Sequence, residues 1–116
     1  MKTKKTVIIA FEIDGYHNYP KAPEEVDFLR DRHRHSFGIK IGFRVNNPDR
    51  EREIFIQREE AIFYLTESYG SPCEFDSMSC EMIAEDLLSH FSDDGARFVE
   101  VWEEKTGGAR VEKSKK

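Results

Sequence analysis

Long hydrophobic runs, cysteine and an excess of positive charge are what this 116-residue chain has little of. No apolar run exceeds five residues, far short of the roughly 18 that a membrane span needs. The basic start Met1-Lys2-Thr3-Lys4-Lys5 leads into an apolar stretch that Glu12 interrupts too soon for a signal peptide. The only two cysteines, Cys73 and Cys80, are not in a C-x-x-C arrangement, which argues against both a disulfide framework and a thiolate metal knuckle. They read as free thiols of a cytoplasmic protein. The net charge is −5 and the basic residues are scattered, so non-specific nucleic-acid binding is not the expected task. With 38% apolar and 35% charged residues, the expectation is one domain over 1–112 with a well solvated surface and a flexible tail at 113–116.

What the chain does have is strict alternation. From His35 onward, Phe37, Ile39, Ile41, Phe43 and Val45 fall on one parity and Ser36, Lys40 and Arg44 on the other. That is the pattern of a half-buried strand, and His33 and His35 share its apolar parity. An earlier strand is expected over 6–17, where Val7, Ile9, Phe11 and Ile13 share a parity that ends on His17. Its other face begins with Ile8 and Ala10, which suggests a central position or a subunit contact. Between the two strands, residues 23–29 can form a short helical turn. Asn46-Asn47-Pro48-Asp49 is a turn signal, after which 51–57, with Ile54-Phe55-Ile56 at its centre, reads as a third strand pairing with the second. Helices are expected over 58–69, ended by Gly70, and from Ser79, an N-cap candidate, to Phe91. A last strand at 97–104 and a short return strand at 109–112 close the chain. The class implied is α+β: a four-stranded antiparallel sheet with two helices on one face.

His17, His33 and His35 thus fall at the ends of neighbouring strands on core-facing parities. Three imidazoles without another protein ligand are the composition of an open zinc site, where water or substrate takes the fourth place. The competing reading is ordinary: core histidines satisfied by hydrogen bonds, or turn residues on a metal-free scaffold. Agreement in parity among three of four histidines favours the metal, while His90, late in the second helix, reads as a surface residue.

Beyond these features, the chain resembles the 6-pyruvoyl-tetrahydropterin synthase and 6-carboxy-tetrahydropterin synthase family over nearly its full length. The residues that carry the likeness are His17, the pair His33-Arg34-His35 in place of a His-Gly-His, Met78-Ser79-Cys80-Glu81 echoing a Pro-Thr-x-Glu helix start, and Val101-Trp102-Glu103-Glu104-Lys105-Thr106 echoing a Val-x-Glu-Thr segment. The resemblance implies the tunnelling fold, trimers that close a barrel and stack into hexamers, and a Zn2+ held by His17, His33 and His35. It also implies that Glu103 anchors a pterin- or purine-like ring, and a carboxylate can accept two parallel N–H bonds from such a ring. The activity implied is that of a lyase-type synthase on a dihydroneopterin triphosphate-like substrate, in pterin or queuosine/7-deazaguanine chemistry.

The departures are in the acid–base residues. Leu29 stands where the family has its catalytic cysteine, Arg30 stands near the glutamate of a subfamily, and the Asp-His pair between the helices has no counterpart. Asp27, Asp31, Cys73 and Cys80 are the substitutes available as a general base. The alternative is therefore a divergent, catalytically inactive relative that binds such a ring, or a protein partner, in the same pocket.

Overall fold

The computed structural model describes residues 1–114. Two thirteen-residue strands, β1 (Lys5–His17) and β2 (His33–Val45), form the centre of the sheet. They pair antiparallel without interruption from Lys5↔Val45 to His17↔His33. The connection between them is a 3-10 turn at Glu24–Leu29, where Phe28 points to solvent and Val26 and Leu29 are half-buried.

The remaining elements are α1 (Ile54–Tyr69), β3 (Cys73–Glu74), α2 (Cys80–His90), a 3-10 turn (Ser92–Asp94), β4 (Ala96–Glu103) and β5 (Gly107–Glu112). The sheet is five-stranded in the order β3-β1-β2-β4-β5, one strand more than the sequence led us to expect. It is also not wholly antiparallel, because β3 runs parallel to β1 through Gly15↔Cys73 and Tyr16↔Glu74. A two-residue strand is too short to carry a periodic signal.

The strand expected over 51–57 is absent: residues from Ile54 onward open α1 and pair with no strand. Glu53 caps this helix by accepting from the Ile56 N–H at 3.0 Å. Its buried positions are Gln57, Ala61 and Leu65, one per turn, so Ile54, Phe55 and Ile56 project outward and are more than half exposed. Strand β2 instead pairs with β4 on its second side. Gly70, at φ 89°, ends α1, and the Ser79 hydroxyl caps α2 by accepting from the Met82 N–H at 3.2 Å.

Both helices lie on one face of the sheet. Ile9 of β1, Phe37, Ile39, Ile41 and Phe43 of β2, and Val99 and Val101 of β4 pack there against Ala61, Leu65, Ile83, Ala84 and Leu87. On the opposite face Ile8, Ala10, Glu12 and Lys40 are exposed. Lys113 still donates to the Arg97 carbonyl at 2.8 Å, so pairing continues one residue into the expected tail. Lys115 and Lys116 lie outside the described residues. Among the described residues, no helix is long and apolar enough to cross a membrane.

Candidate metal centre

The antiparallel register sets the site. His17 is the last residue of β1 and lies opposite His33, the first residue of β2. His35 follows two residues later on the same face, opposite Gly15. The three rings meet edge to face, with centroids 4.7, 5.3 and 4.9 Å apart. One nitrogen from each lies within 4.8 Å of the others. Imidazoles bound to one tetrahedral zinc, at N–Zn distances of about 2.0–2.1 Å, have centroids roughly 5.2 Å apart. The cluster therefore has the dimensions of a metal site.

Hydrogen bonding fixes which nitrogen faces inward. His17 Nδ1 is 2.9 Å from the Met78 carbonyl, His33 Nδ1 is 2.9 Å from the Asp31 carbonyl, and His35 Nδ1 is 2.6 Å from Glu104 Oε1. Carbonyl and carboxylate oxygens accept, so each Nδ1 carries a proton and Nε2 is the ring nitrogen left for a metal. Among the described residues, His35 Nε2 is buried without a hydrogen-bond partner. Burial pushes His17 below its ordinary pKa, with the Met78 carbonyl and Glu103 opposing and the two other histidines assisting. One buried and two half-buried imidazoles, with one orphaned nitrogen, fit a divalent cation.

The cluster rests on the core. Phe37 meets His17 and His35 edge-on, at 5.2 and 5.6 Å, and meets Phe75 below them at 5.2 Å. Gly15 makes room for this pair: a Cβ there would lie 2.8 Å from Phe75 Cε2 and 3.1 Å from two carbons of Phe37.

Glu103, at the end of β4 and opposite Phe37, reaches the cluster from the side. Its Oε2 is 3.1 Å from His17 Nε2 and its Oε1 is 3.4 Å from His35 Nε2. Cys80 Sγ lies 3.6 Å from Oε2, and burial together with the Glu103 charge pushes this thiol up to about 12. A cavity of about 420 Å³ opens beside these groups, lined among others by Asn18, Tyr19, Leu29, Met78, Cys80 and Glu103.

Of the four substitute bases, only Cys80 lines this cavity. Cys73 is buried in the core with Sγ 3.8 Å from the Leu65 carbonyl, Asp27 is exposed, and Asp31 contributes its main-chain carbonyl. Leu29 does face the cavity. Arg30 instead donates through Nε to the Ala22 carbonyl, and Arg34 pairs with Asp14 on the opposite face of the sheet.

Sequence reasoning missed Glu104. Strand alternation would turn it away from His35, but its φ of 54° breaks the alternation. Its carboxylate returns to bind both His35 and the Ser36 N–H, the latter at 2.7 Å. These two contacts, Ser36 first, hold the Glu104 carboxyl below the ordinary carboxylate range.

No family model and no curated protein matches this sequence. Its fold is nevertheless that of solved structures. A 6-pyruvoyl tetrahydropterin synthase from Caenorhabditis elegans superposes with a TM-score of 0.68 at 8% identity, over 97% of each chain. An uncharacterized protein from Wolinella succinogenes gives 0.63 at 11% identity, over 97% of this chain and 100% of its own. The chain therefore has a 6-pyruvoyl-tetrahydropterin-synthase-like α+β fold.

Proposed function

We propose that this chain binds Zn2+ through His17, His33 and His35 and receives a pterin- or purine-like ring in the adjoining cavity, as a 6-pyruvoyl/6-carboxy-tetrahydropterin-synthase-like protein. One observation carries the reading: all three Nδ1 atoms are committed to acceptors, which leaves Nε2 free on each ring, and one nitrogen from each ring lies within 4.8 Å of the others. Zinc held there supplies Lewis acidity toward a substrate hydroxyl. Glu104 and the Met78 and Asp31 carbonyls orient the imidazoles. Glu103 is the one carboxylate lining the cavity within reach of both the cluster and a ring's N–H edge.

Leu29 favours a second reading. It lines the cavity where the family has its cysteine, and a leucine can take no proton. Cys80 is the remaining candidate base, and its thiol is held in the protonated form. A relative that holds the ring without turning it over accounts for both facts.

Assembly belongs to the same proposal. Among the described residues, β1 has no partner on its β3 side beyond Gly15 and Tyr16, and residues 5–14 offer a free edge of the kind that pairs between subunits. A trimer or hexamer is the state expected in solution. The two free, buried thiols suit a reducing, cytoplasmic setting.

Metal analysis of the purified protein should find about one zinc per chain, bound through the histidines. Incubation with dihydroneopterin triphosphate then separates the two readings: loss of the triphosphate or side chain marks an enzyme, and binding without conversion marks the inactive relative. A protein that takes up no metal would refute both.

A further inference from the structure

The Glu103 carboxylate and the histidine nitrogens stand in a relation that the hydrogen bonds around them do not satisfy. His17 and His35 spend their Nδ1 groups on Met78 and Glu104, so Nε2 is the ring nitrogen that each turns toward Glu103. Glu103 presents its two oxygens to them at 3.1 and 3.4 Å. Among the described residues the Cys80 thiol is the one side-chain donor to the Glu103 carboxylate, and it serves Oε2, while His35 Nε2 remains without a hydrogen-bond partner. A cation shared by the carboxylate and the ring nitrogens would engage them all.

The distances agree. Around a tetrahedral zinc with nitrogen and oxygen bonds of about 2.0–2.2 Å, neighbouring ligand atoms are roughly 3.3–3.5 Å apart. The two observed N···O separations lie at or just inside that length. Strand β4 sets the carboxylate's place, since Glu103 pairs in the sheet with Phe37, the residue on which His17 and His35 rest.

Resting on the metal centre proposed above, we infer that Glu103 is the fourth ligand of that metal in the ring-free protein, so that the centre is closed. Three nitrogens and one carboxylate fill a tetrahedron, and a filled tetrahedron is the mark of a structural site rather than an open one. The same carboxylate is the group that would pair with a ring's amidine edge. Ring and metal therefore compete for Glu103, and a ring that takes it opens one corner of the centre.

Cobalt(II) in place of zinc tests this, because its visible spectrum reports coordination without turnover. Azide is the probe, a small anion that enters an open corner. The wild-type cobalt spectrum is expected to ignore millimolar azide, and the spectra of Glu103→Ala and the near-isosteric Glu103→Gln to shift on its addition. Cobalt affinity in Glu103→Ala should fall by about tenfold or more, since even groups behind the ligands are worth about 10–100-fold. Guanine added to the wild type should make it azide-sensitive. A wild-type spectrum that shifts with azide as the Glu103→Ala spectrum does would overturn the inference and leave the three-histidine centre intact. Failure of the wild type to take up one equivalent of cobalt would overturn both.

Discussion

Replacing Gly15 by alanine tests whether the floor under the histidines is packed as tightly as the core. Gly15 does not have a positive φ, so alanine meets no backbone penalty there, and only space is at issue. The added methyl would sit 2.8 Å from Phe75 Cε2 and 3.1 Å from Phe37 Cδ2 and Cε2. Ordinary carbon contacts are near 3.5–4.0 Å, so the rings must retreat by about half an ångström or more. Neither can turn outward: Phe37 is 0% and Phe75 1% exposed, with Tyr69 behind Phe75 at 4.9 Å. Overpacking of this kind costs about 1–3 kcal/mol. Against it, the loss of glycine freedom in the unfolded chain favours alanine by about 0.4–1 kcal/mol. The net is a destabilisation of about 1–2 kcal/mol, which lowers a urea midpoint by roughly 0.5–1 M at typical slopes for small domains. Equilibrium urea unfolding of the metal-free protein measures it directly. Repeating the titration with zinc should widen the gap, because Phe37 touches His17 and His35 and its displacement disturbs the ligands. An unchanged or raised midpoint would refute the packing argument, since alanine would then be showing only its favourable side.

Three further outcomes are expected. Glu104→Ala should weaken zinc binding by about 10–100-fold through loss of the His35 support, measured by calorimetric titration; equal affinity would remove Glu104 from the site. The Cys73 and Cys80 thiols, pushed by burial up to about 11 and about 12, should react with a disulfide reagent at pH 8 far more slowly in the native protein than in urea. Equal rates would show the thiols accessible. Alkaline stability follows the same groups. An acid raised in the fold lends stability that is complete below its unfolded pKa and lost as pH climbs toward the folded value. The thiols should therefore begin to weaken the fold near pH 8.5, and the raised Tyr64 and Tyr69 phenols near pH 10. A urea midpoint that stays flat from about pH 8 to 11 would contradict this.

The histidine trio was legible because strand parity is rigid: once His17, His33 and His35 share the parity of buried residues, pairing of the strands brings them to one face. Ser79 and Gly70 were legible because caps depend on local chemistry. The start of α1 was not. Ile54-Phe55-Ile56 is too short to distinguish helix from strand by period, and the stripe that decides it begins with Gln57, a polar residue at 2% exposure. Gln57 is buried because its amide is satisfied, accepting from Arg52 and donating to Glu60. Glu104 was hidden by a single backbone angle, and β3 by its two-residue length.

The three groups that hold the imidazoles come from separate parts of the chain. Asp31 is two residues from its histidine, Met78 is 61 from His17, and Glu104 is 69 from His35. An ion gripped by those rings would act as a staple through the segment ahead of α2, the outer end of β4 and the ends of both long strands. Stripping it with a chelator should loosen all of these together, and slow amide exchange at Asn18 and Glu104, whose N–H groups bond to Asp76 and Ser36, should quicken in concert. Such an ion would thus also be a seam of the fold.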